Sequence, residues 1–298
     1  MFGIIVNPAS GAGGNGAVIG RILEALRVRG KAHRMYPTRC EGDGARQAKQ
    51  ALRDGCTAVV CVGGDGTLSE VVGGVAGSGA VLYVIPGGTG NDFARAFGLP
   101  DDPVRAFAAQ LDGEPVRVDC GSVNGRAFIN VAGSGFDVEV LRKTEELKAV
   151  YPGKMAYRKA VGEALRHYRA LEAELEIDGG APMRGPATIV EIANGQYIGG
   201  GMRVAPGAML HDGLFDVVIV RRVPRVLIPM LLPLFILGVH VYLPVARVRR
   251  ARQVTLRAPG MVVNIDGRLE RMDEARFAVM PGALNMMRPQ RSAQKAAS

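Results

Sequence analysis

Val62-Gly63-Gly64-Asp65-Gly66-Thr67-Leu68 closes one apolar run and opens an amphipathic one. Glycines there let the backbone approach a ligand closely, and the free N–H groups at a helix N-terminus make a cradle for phosphate. An aspartate inside such a cradle repels phosphate unless a divalent cation lies between them, so a nucleotide with Mg²⁺ is the simplest ligand. Pro86-Gly87-Gly88-Thr89-Gly90-Asn91-Asp92 repeats the arrangement after the next apolar run, again with N–H groups, a hydroxyl and a carboxylate. A turn followed by an N-cap accounts for either cluster alone. Two at adjacent strand ends point to a site, because open α/β sheets bind ligands beyond the carboxyl ends of their strands.

Working outward, short apolar runs alternate with amphipathic ones through the first 120 residues, the pattern of βαβ units on a parallel sheet. Strands are expected at 3–6, 31–36, 58–62 and 81–85, with helices at 17–29, 44–54 and 67–76. Beyond about Val116 the texture is mostly β, with strands at 116–123, 127–132, 171–177, 187–193, 214–221, 254–258 and 262–265 and one long helix at 154–169. Asn124-Gly125, Asp178-Gly179, Asp212-Gly213 and Asp266-Gly267 read as hairpin turns. The expected fold is therefore α/β plus mostly β, with a boundary near Asp119: a doubly wound unit over 1–119 and a β unit over 120–276.

The 298 residues suffice for two cores, and 48% apolar with 22% charged residues argues against disorder or a multispanning membrane protein. Lys and Arg number 37 against 28 Asp and Glu, which favours an anionic partner such as a nucleotide or an acidic membrane surface. Nucleic acid is disfavoured, since aromatics are only 5% and no basic stripe interleaves with them. Cys40, Cys56, Cys61 and Cys120 show no metal-ligand spacing. No basic, apolar leader opens the sequence, so the expectation is a cytoplasmic protein.

Gly11-Ala12-Gly13-Gly14-Asn15-Gly16 satisfies G-x-G-x-x-G between a strand and a helix. The acidic residue a dinucleotide site needs about 20 positions on is replaced by Arg34-Met35-Tyr36-Pro37-Thr38, so a flexible glycine loop competes with the dinucleotide reading. No G-x-x-x-x-G-K-[ST] occurs.

Asn7-Pro8-Ala9-Ser10-Gly11, the stretch 38–45, Gly63 to Thr67, Pro86 to Asp92, Asp119-Cys120-Gly121, Asn130 to Asp137, Asp212 to Asp216 and Ile265-Asp266-Gly267 together resemble, in order, the motifs of the diacylglycerol kinase catalytic-domain family. That family includes soluble bacterial lipid kinases and the sphingosine and ceramide kinases. The resemblance implies an ATP- and Mg²⁺-dependent lipid kinase, with an N-terminal nucleotide domain, a C-terminal β-sandwich and a cleft between them. It implies that the last strand, with 277–298, returns to the first domain. By position, Asn7, Pro8, Ala9, Ser10, Gly11, Thr38, Gly63, Gly64, Asp65, Gly66, Thr67, Thr89 and Asn91 would line ATP. Asp65, Asp92 and Asp119 would hold the catalytic Mg²⁺. Met209, Asp212 and Leu214 would form a structural Mg²⁺ loop, although a hairpin turn explains the same residues. A NAD or other nucleotide kinase of the related fold, and a nucleotide-binding pseudokinase, stay open as alternatives.

The family usually has a Glu after the last Asp-Gly pair as base for the acceptor hydroxyl; this chain has Arg268. If 264–270 were extended, Asp266, Arg268 and Glu270 would share a face, and Asp266 or Glu270 could orient the acceptor; a turn at Asp266-Gly267 would break that alternation. Val226 to Leu243 carries no charge but holds Pro229, Pro233 and Gly238, between arginines on both flanks. A capping helix, an in-plane surface on an anionic membrane and a span are its three readings. The oligomeric state is open, a homodimer included.

Overall fold

The structure is a computed structural model that describes residues 1–8, 15–148, 150–151 and 154–289. Strands β1 (Phe2–Val6), β2 (His33–Pro37), β3 (Ala58–Gly63) and β4 (Val81–Pro86) lie parallel in the order β4-β3-β1-β2. Helices α1 (Asn15–Val28), α2 (Asp43–Arg53) and α3 (Asp65–Val75) connect them. β1 and β3 are continuous apolar runs because both faces are covered. Ile4, Val6, Val60 and Val62 meet Ile22 and Leu26 of α1 on one face. Ile5, Val59 and Cys61 meet Ala48, Ala51, Val71 and Val72 of α2 and α3 on the other. That is the doubly wound unit, and it puts the ends of β3 and β4 side by side.

Helices α4 (Asp92–Phe97) and α5 (Pro103–Leu111) follow β4. α5 was not expected from periodicity, yet its start is signalled locally: Asp102 accepts the Arg105 N–H at 2.8 Å and Pro103 occupies the first turn.

The second half adds β5 (Glu114–Val123), β6 (Arg126–Phe128), β7 (Val131–Gly135), α6 (Phe136–Lys148), α7 (Lys154–Arg166), β8 (Leu171–Ile177), β9 (Met183–Ala193), β10 (Phe215–Arg221), α8 (Ile228–Leu237), β11 (Ala246–Ala251), β12 (Gln253–Ile265) and β13 (Arg268–Arg288). Its strands pack antiparallel around Phe128, Phe215 and Phe277, with the Phe128 and Phe215 rings stacked at 5.7 Å. β13 is the seam of the molecule. It pairs with β12, then with β5, and finally runs parallel to β4 through Asn285 and Met286, after a register shift between Met280 and Leu284.

Several sequence expectations are corrected. The strand expected at 127–132 is two strands, split at Ile129-Asn130. Those expected at 254–258 and 262–265 are one, bulged where Gly260 takes φ 61°. The helix expected at 154–169 stops at Arg166, and α6 precedes it. Asn124-Gly125, Asp178-Gly179 and Asp266-Gly267 are left-handed turns between paired strands. Asp212-Gly213 instead ends the long connection from β9 to β10. The apolar segment 226–243 breaks at Gly238 into a ten-residue helix flanked by short 3₁₀ turns. Among the described residues no helix is long and apolar enough to cross a membrane.

β9 buries Glu191 completely, and its carboxyl meets that of Asp137 at the start of α6. No N–H or O–H of the described residues reaches either Glu191 oxygen, so a proton shared between the acids is the bond left to them. Burial pushes both carboxyls above the ordinary range, Glu191 well above it, and the Asp137 charge adds to the shift on Glu191. A raised carboxyl holds its proton more tightly folded than unfolded, so its stabilisation is present at acid pH and lost as pH rises through the folded value. Thermal melts should therefore show stability falling from mildly acid to mildly alkaline pH, and Glu191→Gln should flatten that slope. An unchanged slope in the variant would contradict the shared proton.

Candidate active site

Asp65 begins α3 directly after the end of β3, with Gly64 in extended backbone as its cap. Across the adjacent strand end, the Gly87 N–H donates to the Gly63 carbonyl at 2.9 Å. A Cβ on Gly64 would stand 3.0 Å from the Gly88 Cα, and one on Gly88 only 2.5 Å from the Gly64 Cα. The two glycine loops thus lie backbone against backbone. Asn91, left-handed at φ 51°, closes the second loop by accepting from the Gly88 N–H at 3.0 Å and donating to its carbonyl at 2.9 Å.

This packing brings two carboxylates together. Asp65 Oδ1 accepts the Phe93 N–H at 3.2 Å, so the acid that starts α3 also satisfies the start of α4. Asp92 is buried, pairs with Arg95 at 2.9 Å and accepts the Gly200 N–H at 2.8 Å. Burial foremost, and then the Asp65 charge, push the Asp92 carboxyl above its ordinary range against those two partners. Gly90 sits between the acids: a Cβ there would meet Asp65 Oδ2 at 3.0 Å and Asp92 Oδ2 at 3.6 Å.

Around this centre, Asn7 donates to the buried Thr67 hydroxyl at 3.3 Å, and the buried Thr38 ties back to Val6 through its N–H. Pro8, Gly66 and Thr89 are exposed at the rim. Ala9, Ser10 and Gly11, with the rest of the first glycine motif to Gly14, lie outside the described residues. Sequence reasoning missed a third glycine run, Gly199-Gly200-Gly201, with φ 61°, 83° and 117°, which closes over the Gly90 backbone from the second half. It also missed Arg95, whose guanidinium lies over the Tyr197 ring at 5.6 Å. No periodicity marks either.

Asp119 is placed elsewhere. Its carboxylate accepts the N–H of Gly213 at 2.7 Å and of Gly282 at 2.6 Å, which ties it to the 209–214 loop and the β13 seam, not to Asp65 and Asp92. Among the described residues no three His, Cys, Asp or Glu side chains converge as a ready metal set. A cation held chiefly by phosphate oxygens needs no such set, and Mg²⁺ usually keeps waters and one or two carboxylates.

The β12–β13 hairpin reaches back to the first unit. Asp266 stands in the turn at φ 50°, so the shared face with Arg268 and Glu270 does not form. Its carboxylate accepts three backbone N–H groups, Ile129 at 2.7 Å, Asn130 at 2.9 Å and Val131 at 3.1 Å. Burial still pushes its pKa up to about 6. With both oxygens taking these N–H groups, Asp266 holds the hairpin against the 129–131 backbone. Glu270 is paired with Arg126, and Arg268 lies between Glu270 at 3.5 Å and Glu41 of the first unit at 3.7 Å. Two buried asparagines complete the junction: Asn194 donates to the carbonyls of Asp119 and Ile129, and Asn130 to that of Tyr197.

With this geometry in place, two family models match successive parts of the chain. Residues 1–123 match the diacylglycerol kinase catalytic domain, and residues 130–288 match the YegS C-terminal NAD kinase beta sandwich-like domain. A diacylglycerol kinase of Bacillus subtilis is 30% identical over 98% of this chain and 97% of its own length. A Bacillus anthracis diacylglycerol kinase structure superposes with a TM-score of 0.74 at 20% identity, covering 98% of this chain and 97% of that one. An Archaeoglobus fulgidus NAD kinase solved with ATP shares the fold at a TM-score of 0.56 and 13% identity, covering 99% and 96%.

Asp266→Asn tests the positioning role. An amide oxygen can accept only some of the three N–H groups, and its NH₂ faces a donor, so the substitution should cost about 1–3 kcal/mol of stability. A urea melt that matches the wild type would contradict it.

Proposed function

The chain belongs to the family of diacylglycerol kinase catalytic domains and YegS-like lipid kinases, and from that premise we propose that it transfers the γ-phosphate of ATP to a hydroxyl of a membrane lipid such as diacylglycerol or a sphingoid lipid. The observation that carries this reading is the pair of abutting glycine loops with Asp65 and Asp92 converging on Gly90. Membership of a kinase family implies ATP as the donor. In the proposed site, residues 1–119 with the end of β13 form the nucleotide unit and 120–276 the acceptor unit. Asn7, Pro8, Thr38, Gly63, Gly64, Gly66, Thr67, Thr89 and Asn91 would line the donor.

The donor set suits Mg²⁺, since Asp65 turns Oδ2 toward the Gly90 backbone while its other oxygen is bound to Phe93. Asp65, supported by Asp92, would hold the ion, which neutralises charge on the phosphates when bound. Backbone N–H groups of the two loops orient the phosphates, and Glu270, fixed by Arg126, is the carboxylate left to face an acceptor hydroxyl. Phosphoryl transfer through a loose transition state depends more on alignment than on a strong base, so Arg268 in place of a Glu is compatible with turnover.

The lipid reading draws support from α8 and its flanks. Ile228 and Phe235 anchor the helix, Phe235 stacking on the buried His240 ring at 3.7 Å, while Met230, Ile236, Leu237 and Tyr242 stay 58% or more exposed. Arg222, Arg225, Arg247 and Arg249 are exposed beside them. An apolar face rimmed by arginines suits peripheral docking on an anionic bilayer.

One assay tests the reading: ATP turnover with diacylglycerol or sphingoid lipid in anionic liposomes, against NAD in solution. The wild type should phosphorylate lipid, Asp65→Asn should lose turnover by at least about a hundredfold while melting normally, and added salt should weaken liposome binding. Phosphorylation of NAD alone, or near-normal turnover by Asp65→Asn, would reject it.

A further inference from the structure

We propose that Arg250 is the resident cation of the 209–214 loop, standing where the family resemblance places a structural Mg²⁺. The strand register puts it there. In the β10–β11 pair Arg250 lies directly opposite Asp216, and its Nε is 3.6 Å from the Asp216 carboxylate. The same guanidinium sits against Asp212 Oδ2. One side chain, itself about half exposed, thus faces two acids whose side chains are only 17% and 8% exposed.

The carboxylates of the loop already face backbone donors or a cation. Asp212 Oδ1 accepts the Leu214 N–H at 3.1 Å, and Oδ2 faces Arg250. Both Asp119 oxygens take N–H groups, from Gly213 and from Gly282. Mg²⁺ demands near-octahedral oxygen ligands, and a divalent ion brought to Asp212 would meet a fixed positive charge at contact distance. The residues therefore do not fit the ion that the resemblance implies.

The link matters to the fold, because the loop is a strut. The Asp119 N–H donates to the Leu210 carbonyl at 2.7 Å, so the loop docks on β5 on one side while Arg250 ties it to β11 on the other. Through Asp119 and Gly282 it also reaches the bend of β13, beside a cavity of about 700 Å³ that Arg117, His211 and Arg252 line. Arg250 thereby joins the sheet's edge strand to the strand that returns to the parallel sheet.

This inference is independent of the kinase reading, and its test leaves nucleotide out so that a metal at the phosphates is not what is read. Thermal melts of the full chain would be run in EDTA and in millimolar Mg²⁺ for the wild type, Arg250→Lys and Arg250→Gln. The wild type and Arg250→Lys should melt alike in both buffers. Arg250→Gln should melt roughly 2–4 °C lower in EDTA and recover part of that loss in Mg²⁺, which then enters the vacated charge position. A wild type that loses stability in EDTA overturns the proposal. So does an Arg250→Gln protein that melts like the wild type, or that responds to Mg²⁺ no more than the wild type does. Should Arg250→Gln fail to fold, the EDTA response of the wild type and of Arg250→Lys decides the matter alone.

Discussion

Two stretches of backbone touch with no side chain between them. Gly63-Gly64 and Gly87-Gly88 end adjacent parallel strands, and the Gly88 to Gly64 approach leaves no room for a Cβ. Everything that makes the cleft a candidate phosphate site follows from that contact. It brings the N-termini of α3 and α4 side by side, lets Asp65 reach the Phe93 N–H of the neighbouring helix, and gathers two carboxylates on Gly90. Helix N-termini attract anions and carboxylates repel them. A site holding both suits a ligand pairing phosphate with a cation, as the proposed Mg²⁺ and ATP would.

The second half is fastened to this centre by polar groups as well as by an apolar core that Val118, Ile129, Leu210 and Met286 share with α3 and β4. Asp92 holds the Gly200 N–H, and Arg268 lies near Glu41. Each joins a loop or turn of one unit to the other. β13 makes the covalent counterpart, since one strand serves the sandwich at its start and the parallel sheet at its end.

The parallel unit was legible because its signals are local. β3 is a continuous apolar run ending in glycines, and α2 has helical spacing throughout. What escaped reading depends on register or on distant partners. Nothing near Asp266 in sequence shows that three N–H groups 135 or more residues away will take its carboxylate. Asp119 reads like one more acid of the nucleotide network, yet its place along β5 aims it at Gly213 and Gly282. Arg250 looked like one of several surface arginines, and only the pairing of β10 with β11 sets it against Asp212 and Asp216. The Gly199 to Gly201 run carries no pattern at all, because its meaning lies in how closely it passes Gly90.

The central claim is that close backbone contact between the two glycine loops builds the nucleotide cradle, and calorimetric titration of ATP into Gly88→Ala tests it most directly. The added methyl must push against the Gly64 backbone, while the apolar core beneath, from Val59 to Val72, is untouched. The account predicts a variant that stays folded by circular dichroism and binds ATP at least about tenfold more weakly than the wild type, a loss of about 1.4 kcal/mol. Equal affinity in a folded variant would contradict it.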